Sequence, residues 1–361
     1  MTGMIPAAKP LVGDEERAAV DAVLASGGLA QGPQVAAFES EFSDVVAGLE
    51  CVAVNSGTSA LHMALLALGI GPGDEVIVPS FTFAATANSV ALAGATPVFV
   101  DIEPGSFCMD PSAVKAAITS RTKAIMPVHL YGHPAAMDRL TPIAAERGLR
   151  VIEDAAQAHT ASLDGTPVGA FGDAGCFSFY PTKNMTSGEG GMVSAATAET
   201  ARMVRLLRNQ GMEVRYRNEV VGFNTRMTDI HAVIGRVQLG KLAGWTAQRQ
   251  ANAAFLSANL EGVVTPSVAP GAVHVYHQYT IRVPGHDQDE FVAALAERGV
   301  GSGVYYPTPV HALPSFGLTL DLPETARAAR EVISLPVHPA LTPADLERIV
   351  EAVNQVAKAG A

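Results

Sequence analysis

At 361 residues the chain is long enough for about two domains of ordinary size. Hydrophobic residues make up 48% and charged residues 16%, which supplies a sizeable core and excludes a disordered protein. Lys and Arg number 24 against 35 Asp and Glu, and the net charge of −11 argues against a general nucleic-acid binder, whose surface must displace counterions from phosphates.

Two helical patterns open the chain. Asp14 to Ala25 carries Ala18, Val20, Val23 and Leu24 at helical spacing. After the Gly-rich loop Ser26–Gly32, Pro33 to Val46 carries Val35, Phe38, Phe42 and Val45, with Pro33 suited to a first turn. Seven short apolar runs follow and read as strands: Cys51–Asn55, Glu75–Pro79, Pro97–Val100, Ala124–Val128, Val151–Asp154, Cys176–Phe179 and Met192–Ala195. Helical stretches separate the earlier ones: Ser59–Leu68, Ala84–Ala93, Pro111–Ile118 and Ala135–Arg147. Such alternation predicts an α/β fold, a mostly parallel sheet covered on both faces. The last two strands lack a helical connection of normal length, so some antiparallel pairing is expected there.

Beyond Thr228 the pattern changes. Asp229 to Leu260 predicts one long helix or two in succession, with Gly240 and Gly244 as kink points. His277–Val283 predicts a strand, and Gln288–Arg298 and Pro343–Ala357 predict helices. The expected division is a large α/β unit over 1–240, including the N-terminal helices, and a smaller α+β unit over 241–361. No apolar run reaches the roughly 20 residues of a membrane span, and Met1–Pro10 lacks the apolar core of a signal peptide. Cys51, Cys108 and Cys176 sit among apolar neighbours, as reduced core thiols of a cytoplasmic protein do.

Four local features fall where α/β proteins place their chemistry, at strand ends. Asn55-Ser56-Gly57-Thr58-Ser59-Ala60 takes a strand through a Gly turn into a helix, where backbone N–H groups and hydroxyls suit a phosphate; a plain N-cap has the same appearance. Val151-Ile152-Glu153-Asp154 runs an apolar strand into two carboxylates, which need donors or cations, catalytic or structural. Lys183 follows the strand Cys176–Phe179 and precedes Gly188-Glu189-Gly190-Gly191; a desolvated lysine becomes a nucleophile toward carbonyls, and a surface-loop lysine is the alternative. Gly222-Phe223-Asn224-Thr225-Arg226-Met227-Thr228-Asp229 sets phosphate-binding side chains before the long helix, with Thr228 or Asp229 as its cap. No one feature is specific. Their order is: a phosphate cradle, an Asp at a strand end, and a Lys 29 residues after it are the parts that pyridoxal phosphate requires.

The sequence resembles the DegT/DnrJ/EryC1/StrS family of pyridoxal-phosphate-dependent aminotransferases across nearly its whole length. The likeness rests on Gly32-Pro33 with Phe38-Glu39, Asn55–Leu61, Pro79-Ser80-Phe81-Thr82-Phe83, Glu153–Gln157, Ser178-Phe179 with Lys183, Gly188–Gly191, and Gly222–Asn224 with Arg226–Asp229. It implies the fold-type-I (aspartate-aminotransferase-like) architecture: a seven-stranded, mostly parallel sheet domain and a smaller C-terminal α+β domain. It implies that Lys183 forms the Schiff base with pyridoxal 5′-phosphate, that Asp154 pairs with the pyridine nitrogen, and that Gln157 lies near the ring oxygen O3′. Phe83 would stack on the ring. Gly57, Thr58, Ser59 and Ser178 would bind the phosphate, and Asn224 would reach the phosphate of a neighbouring subunit, making a homodimer with shared sites. Arg226, His159, Tyr305, Tyr306 and His311 are substrate-side candidates. One departure is Gln210, in Arg208-Asn209-Gln210-Gly211, where family members often carry His; it leaves the cofactor set untouched. Dehydratases of this fold carry His in place of the lysine, so Lys183 favours transamination.

The implied activity moves an amino group from an amino acid, L-glutamate by expectation, to a nucleotide-linked keto-sugar in aminosugar biosynthesis. A cyclitol ketone of the scyllo-inosose type is the alternative acceptor, and a non-catalytic regulator of the same fold is a further one. The acidic net charge requires local cations for a doubly anionic substrate, with Arg226, Arg205, Arg208, Arg215 and Arg217 as candidates. A nicotinamide-dependent enzyme is disfavoured because Gly69-Ile70-Gly71-Pro72-Gly73 follows a helix and not a strand. No metal is expected: Gly132 and Pro134 break any helix that would align His129 with His133, and His274 and His277 face opposite ways on an extended chain.

Overall fold

The computed structural model describes residues 3–359; Met1, Thr2, Gly360 and Ala361, which the expected units include, lie outside the described residues. The main sheet has seven strands: β1 (Glu50–Val54), β2 (Glu75–Pro79), β3 (Thr96–Val100), β4 (Thr122–Ile125), β5 (Arg150–Asp154), β6 (Ala174–Ser178) and β7 (Gly191–Ala195). Their spatial order is β1-β7-β6-β5-β4-β2-β3. Pairing is parallel from β3 through to β6, and β7 runs antiparallel to both β6 and β1. The expected antiparallel pairing therefore falls on one strand, and the other six all point one way.

Period-two burial explains why the sheet is covered on both sides. Val52, Val54, Val76, Val78 and Ile152 enter one cluster with α3 (Gly57–Ala67), α4 (Ala85–Leu92) and α7 (Ala198–Arg208). Ile77, Ile125 and Val151 face the other way, against α5 (Pro111–Ala117) and α6 (Met137–Arg147). On that same side Cys51, Ala53 and Phe177 meet α2 (Pro33–Ser43) through Phe38 and Phe42. Each such side chain contributes about 1.5–3 kcal/mol of burial. The sequence reading did not anticipate α7, whose Ala201, Val204 and Leu207 alternate with Arg202, Arg205 and Arg208 along an amphipathic helix.

The long helix α8 (Asp229–Asn259) is continuous over 31 residues, so the expected kinks at Gly240 and Gly244 do not occur. Both positions open onto free space; it is Gly235 that packs closely, where a Cβ would come within 2.7 Å of the Phe38 ring. β8 (Tyr279–Arg282) pairs antiparallel with β9 (Val332–Leu335), a strand missed in the sequence, as was the preceding helix α10 (Pro323–Glu331). A separate cluster covers this small sheet, joining Tyr279, Ile281 and Ile333 to Phe291 and Leu295 of α9 (Gln288–Glu297), to Ile349 and Val353 of α11 (Pro343–Ala359), and to Ile5. The three cysteines are free and buried. Among the described residues no helix is long and apolar enough to cross a membrane.

Candidate active site

Because six strands share a direction, the ends of β1, β2, β5 and β6 lie along one edge. Val54 and Ser178 both pair with Gly191, so the ends of β1 and β6 flank that glycine. A Cβ on Gly191 would stand 2.3 Å from the Ser56 carbonyl oxygen, and one on Gly57 would stand 2.7 Å from Ser178 Cβ. The two glycines thus let the N-terminus of α3 close onto Ser178. Ser56 caps the helix by accepting from Ser59 N–H at 3.1 Å, and Ser59 Oγ donates to Asn55 Oδ1 at 2.7 Å. The Thr58 hydroxyl forms no hydrogen bond among the described residues. Free helix N–H groups beside hydroxyls make an anion cradle.

At the end of β5 two adjacent carboxylates part ways. Glu153 is sealed inside and accepts backbone N–H bonds from Gly169 (2.7 Å), Phe171 (2.8 Å) and Gly172 (2.9 Å), with His129 Nε2 at 3.0 Å. Asp154 turns toward the edge. Thr86 Oγ1 donates to its Oδ2 at 2.8 Å and Ala156 N–H to its Oδ1 at 3.2 Å. A carboxylate only accepts, so Thr86 must donate to it, and Thr82, 3.0 Å from Thr86, donates to Thr86 in turn. Burial pushes the Asp154 carboxyl above its usual range, and the donors and Lys183 pull it back. Neither threonine was singled out in the sequence, although their i, i+4 spacing after Phe81 is a readable signal.

Lys183 stands on the turn after β6, its N–H bonded to the Tyr180 carbonyl at 2.9 Å. Burial of the ammonium lowers its pKa from 10.5 to about 8, against the opposing pull of Asp154. Gln157 is fixed at both ends of its amide: Oε1 accepts Tyr131 N–H at 2.7 Å and Nε2 donates to Tyr306 Oη at 2.9 Å. Phe83 is 60% exposed at the same edge, with its ring centroid 6.2 Å from that of Tyr306.

The segment before α8 runs beside the end of β1, where Asn55 N–H donates to Thr225 O at 2.8 Å and Val54 bridges Arg226. That places Asn224, which is exposed, and Arg226, which donates to Asn209 Oδ1 at 2.9 Å, next to the α3 terminus. Thr228 is the cap of α8. Asp229 serves another helix: its carboxylate accepts from Gly32, Gln34 and Val35 N–H at the start of α2.

The remaining substrate-side candidates have partners or neighbours within the chain. His159 is wholly buried, its ring 5.6 Å from Phe177 and 5.7 Å from Phe179, and neither ring nitrogen has a hydrogen-bond partner among the described residues. Burial and the charge of Lys183 hold its pKa near 3. His311 is buried and its Nδ1 lies 2.6 Å from Ser80 Oγ. Tyr305 lends its carbonyl to the Tyr131 hydroxyl. Two expected cations are spent internally: Arg205 on Glu50 at 2.9 Å, and buried Arg208 on Glu39. Arg215 and Arg217 are exposed, Arg215 lying over the Tyr216 ring. Among the described residues no group of three or more His, Cys, Asp or Glu is placed to hold a metal.

An amine, an acid and an anion cradle therefore share one sheet edge. The profile of the DegT/DnrJ/EryC1/StrS aminotransferase family matches residues 10–354. The chain is 43% identical over 350 residues to a UDP-N-acetyl-3-dehydro-alpha-D-glucosamine 3-aminotransferase of Acidithiobacillus ferrooxidans, covering 95% of this chain and 94% of that one. Among solved structures, DesV of S. venezuelae in complex with a ketimine intermediate superposes with a TM-score of 0.93 at 41% identity, over 98% of this chain and 99% of that one. The PMP-form of the putative sugar aminotransferase Spr1654 of Streptococcus pneumoniae gives 0.94 at 28% identity, over 99% and 98%.

Proposed function

The chain belongs to the DegT/DnrJ/EryC1/StrS aminotransferase family and is an aminotransferase, and on that premise we propose that it binds pyridoxal 5′-phosphate and moves an amino group from L-glutamate to a nucleotide-linked keto-sugar. The observation that carries the reading is the convergence of Lys183, Asp154 and the Gly57–Ser59 cradle on one edge. The cradle fits a phosphate because Gly57 and Gly191 leave no side chain between the α3 terminus and Ser178. The depressed pKa of Lys183 and the buried carboxyl of Asp154 fit an aldehyde and a pyridine nitrogen.

When bound, the cofactor supplies an aldehyde to take the amino group and a ring to accept an electron pair. Gly57, Thr58, Ser59 and Ser178 would hold the phosphate, Asp154 would keep the proton on the ring nitrogen, and the spare Nε2 hydrogen of Gln157 would be free for the ring oxygen. Phe83 covers the ring face. The Lys183 amine would serve as the general base that takes the proton from the donor Cα and as the acid that delivers it across the amino nitrogen. Tyr306, tied to Gln157, and Arg226 face the acceptor side. Asn224 reaches a second subunit: it is exposed, and around it Val221 (91% exposed), Tyr216 (80%) and Phe223 stand open to solvent, an apolar surface that a homodimer would cover. The division into units over 1–240 and 241–361 belongs to the same proposal, supported by the separate cluster around β8 and β9.

The direct test loads the protein with the amino form of the cofactor and screens UDP-, dTDP- and GDP-linked keto-sugars beside scyllo-inosose, following loss of the amino form. Conversion with a nucleotide-linked sugar is expected; reaction with the inosose alone overturns the acceptor assignment. Sedimentation should give a dimer. Thr86→Val is expected to slow turnover about tenfold, the worth of one hydrogen bond to a charged group, while Thr86→Ser restores it. Equal rates for both variants would remove Thr86 from the support of Asp154.

A further inference from the structure

Burying a guanidinium is costly unless an anion accompanies it. Among the described residues three arginines are buried: Arg208, Arg249 and Arg282. Arg208 faces Glu39, and Arg282 faces Glu331 at 2.7 Å. Arg249, on α8, faces no carboxylate among the described residues. Its Nη1 donates to the carbonyls of Tyr276 (3.1 Å) and His277 (3.4 Å), and its Nε has no partner at all. Burial lowers its pKa only to about 10, so it stays charged at neutral pH.

Arg249 lines a small cavity, about 20 Å³, together with Lys183, Lys9, Gln238 and Trp245. No Asp or Glu lines it. Glu16, which Gln238 of the lining bonds, is also engaged by Lys241. Lys9 arrives on the segment between Ile5, which bridges Val300 of the small unit, and α1 (Asp14–Ser26), and it too has no carboxylate partner among the described residues. Arg249 and Lys9 thus line, beside Lys183, a space whose lining holds no carboxylate.

We propose that Arg249 and Lys9 seat a carboxylate of the amino donor beside Lys183. The proposal rests on the reading of this site as the one where Lys183 meets an amino acid. Size and charge select the ligand. A volume of that size admits one water-sized group, which suits the end of a carboxylate and excludes a nucleoside diphosphate. A sugar hydroxyl fits but leaves the guanidinium uncompensated. The fork of Arg249 offers the unpaired Nε for a charge-assisted bond.

Glutarate, a dicarboxylate with no amine to react, isolates binding from chemistry. Calorimetric titration of the cofactor-loaded enzyme should show glutarate binding weakened about tenfold by Arg249→Lys, which keeps the charge and loses the fork. Lys9→Gln, on the exposed segment and outside any fold-stabilising pair, should weaken it about threefold. The KM for L-glutamate should rise in parallel, with the keto-sugar KM of the second half-reaction unmoved. Equal glutarate binding in wild type and both variants overturns the proposal, and so does a rise in both KM values together. The outcomes separate cleanly: a working keto-sugar reaction with indifferent glutarate binding sinks this inference alone, whereas an enzyme inert to every keto-sugar sinks the acceptor reading and leaves the glutarate titration to decide this one.

Discussion

Lys183→Ala is expected to cut turnover by about 10³-fold or more, because it removes the one group placed to shuttle the Cα proton. The protein should remain folded, since Lys183 forms no ion pair among the described residues and its backbone bond to Tyr180 survives the change. Rapid-mixing measurement of the glutamate half-reaction reads the effect directly, and a variant within tenfold of wild type would falsify the assignment. The pH profile follows from the same burial. In the cofactor-free protein, with its pKa lowered to about 8, the amine is increasingly neutral above that pH, so its condensation with added cofactor should quicken as the pH climbs through about 8. Stability carries the same signature in the cofactor-free protein. Between about 8 and 10.5 the unfolded chain holds a proton on this lysine that the folded chain has released. Stability therefore rises with pH across that window, and the slope disappears in Lys183→Met.

What could be read from the sequence, and what could not, divides along physical lines. The seven strands were legible because each is a short apolar run whose residues alternate between two buried faces, as Val76 and Val78 do against Ile77. The helix α7 escaped because three of its 11 residues are arginines, each paired outside the helix: Arg202 with Glu213 and Glu219, Arg205 with Glu50, Arg208 with Glu39. The glycines of α8 looked like kink points, yet helix geometry is kept where neighbouring packing supports it, and a free surface at Gly240 and Gly244 exerts no bending force. At the site, strand ends and glycine turns announced Gly57, Asp154 and Lys183. Thr86 was marked only by its i, i+4 spacing from Thr82, which does not name the aspartate 68 residues away that it bonds, and nothing local marks Arg249 as an arginine without a carboxylate partner. The burial of His159 against Phe177 and Phe179 was equally hidden, because those rings lie 18 and 20 residues further along the chain.

Asp154→Asn should separate function from stability in opposite directions. Turnover is expected to fall about 10²–10³-fold, because a neutral amide cannot hold a proton on the ring nitrogen while charge develops there. Binding of the cofactor phosphate at the α3 terminus should be retained. In the cofactor-free protein the same change should stabilise the fold. Burial raises the Asp154 pKa, so the folded state holds this proton more tightly than the unfolded chain does, and ionisation at neutral pH costs stability. Removing that ionisation should lift the thermal midpoint. The adjacent Glu153 provides the control, being the same chemistry one residue away. It already accepts three backbone N–H bonds, so Glu153→Gln would set an amide N–H against an N–H donor and cost about 1–3 kcal/mol. A lower midpoint for Glu153→Gln beside a higher one for Asp154→Asn identifies Asp154 as the carboxylate whose partner comes from outside the chain. If Asp154→Asn lowers the midpoint as well, its carboxylate is structural and the electron-sink role fails.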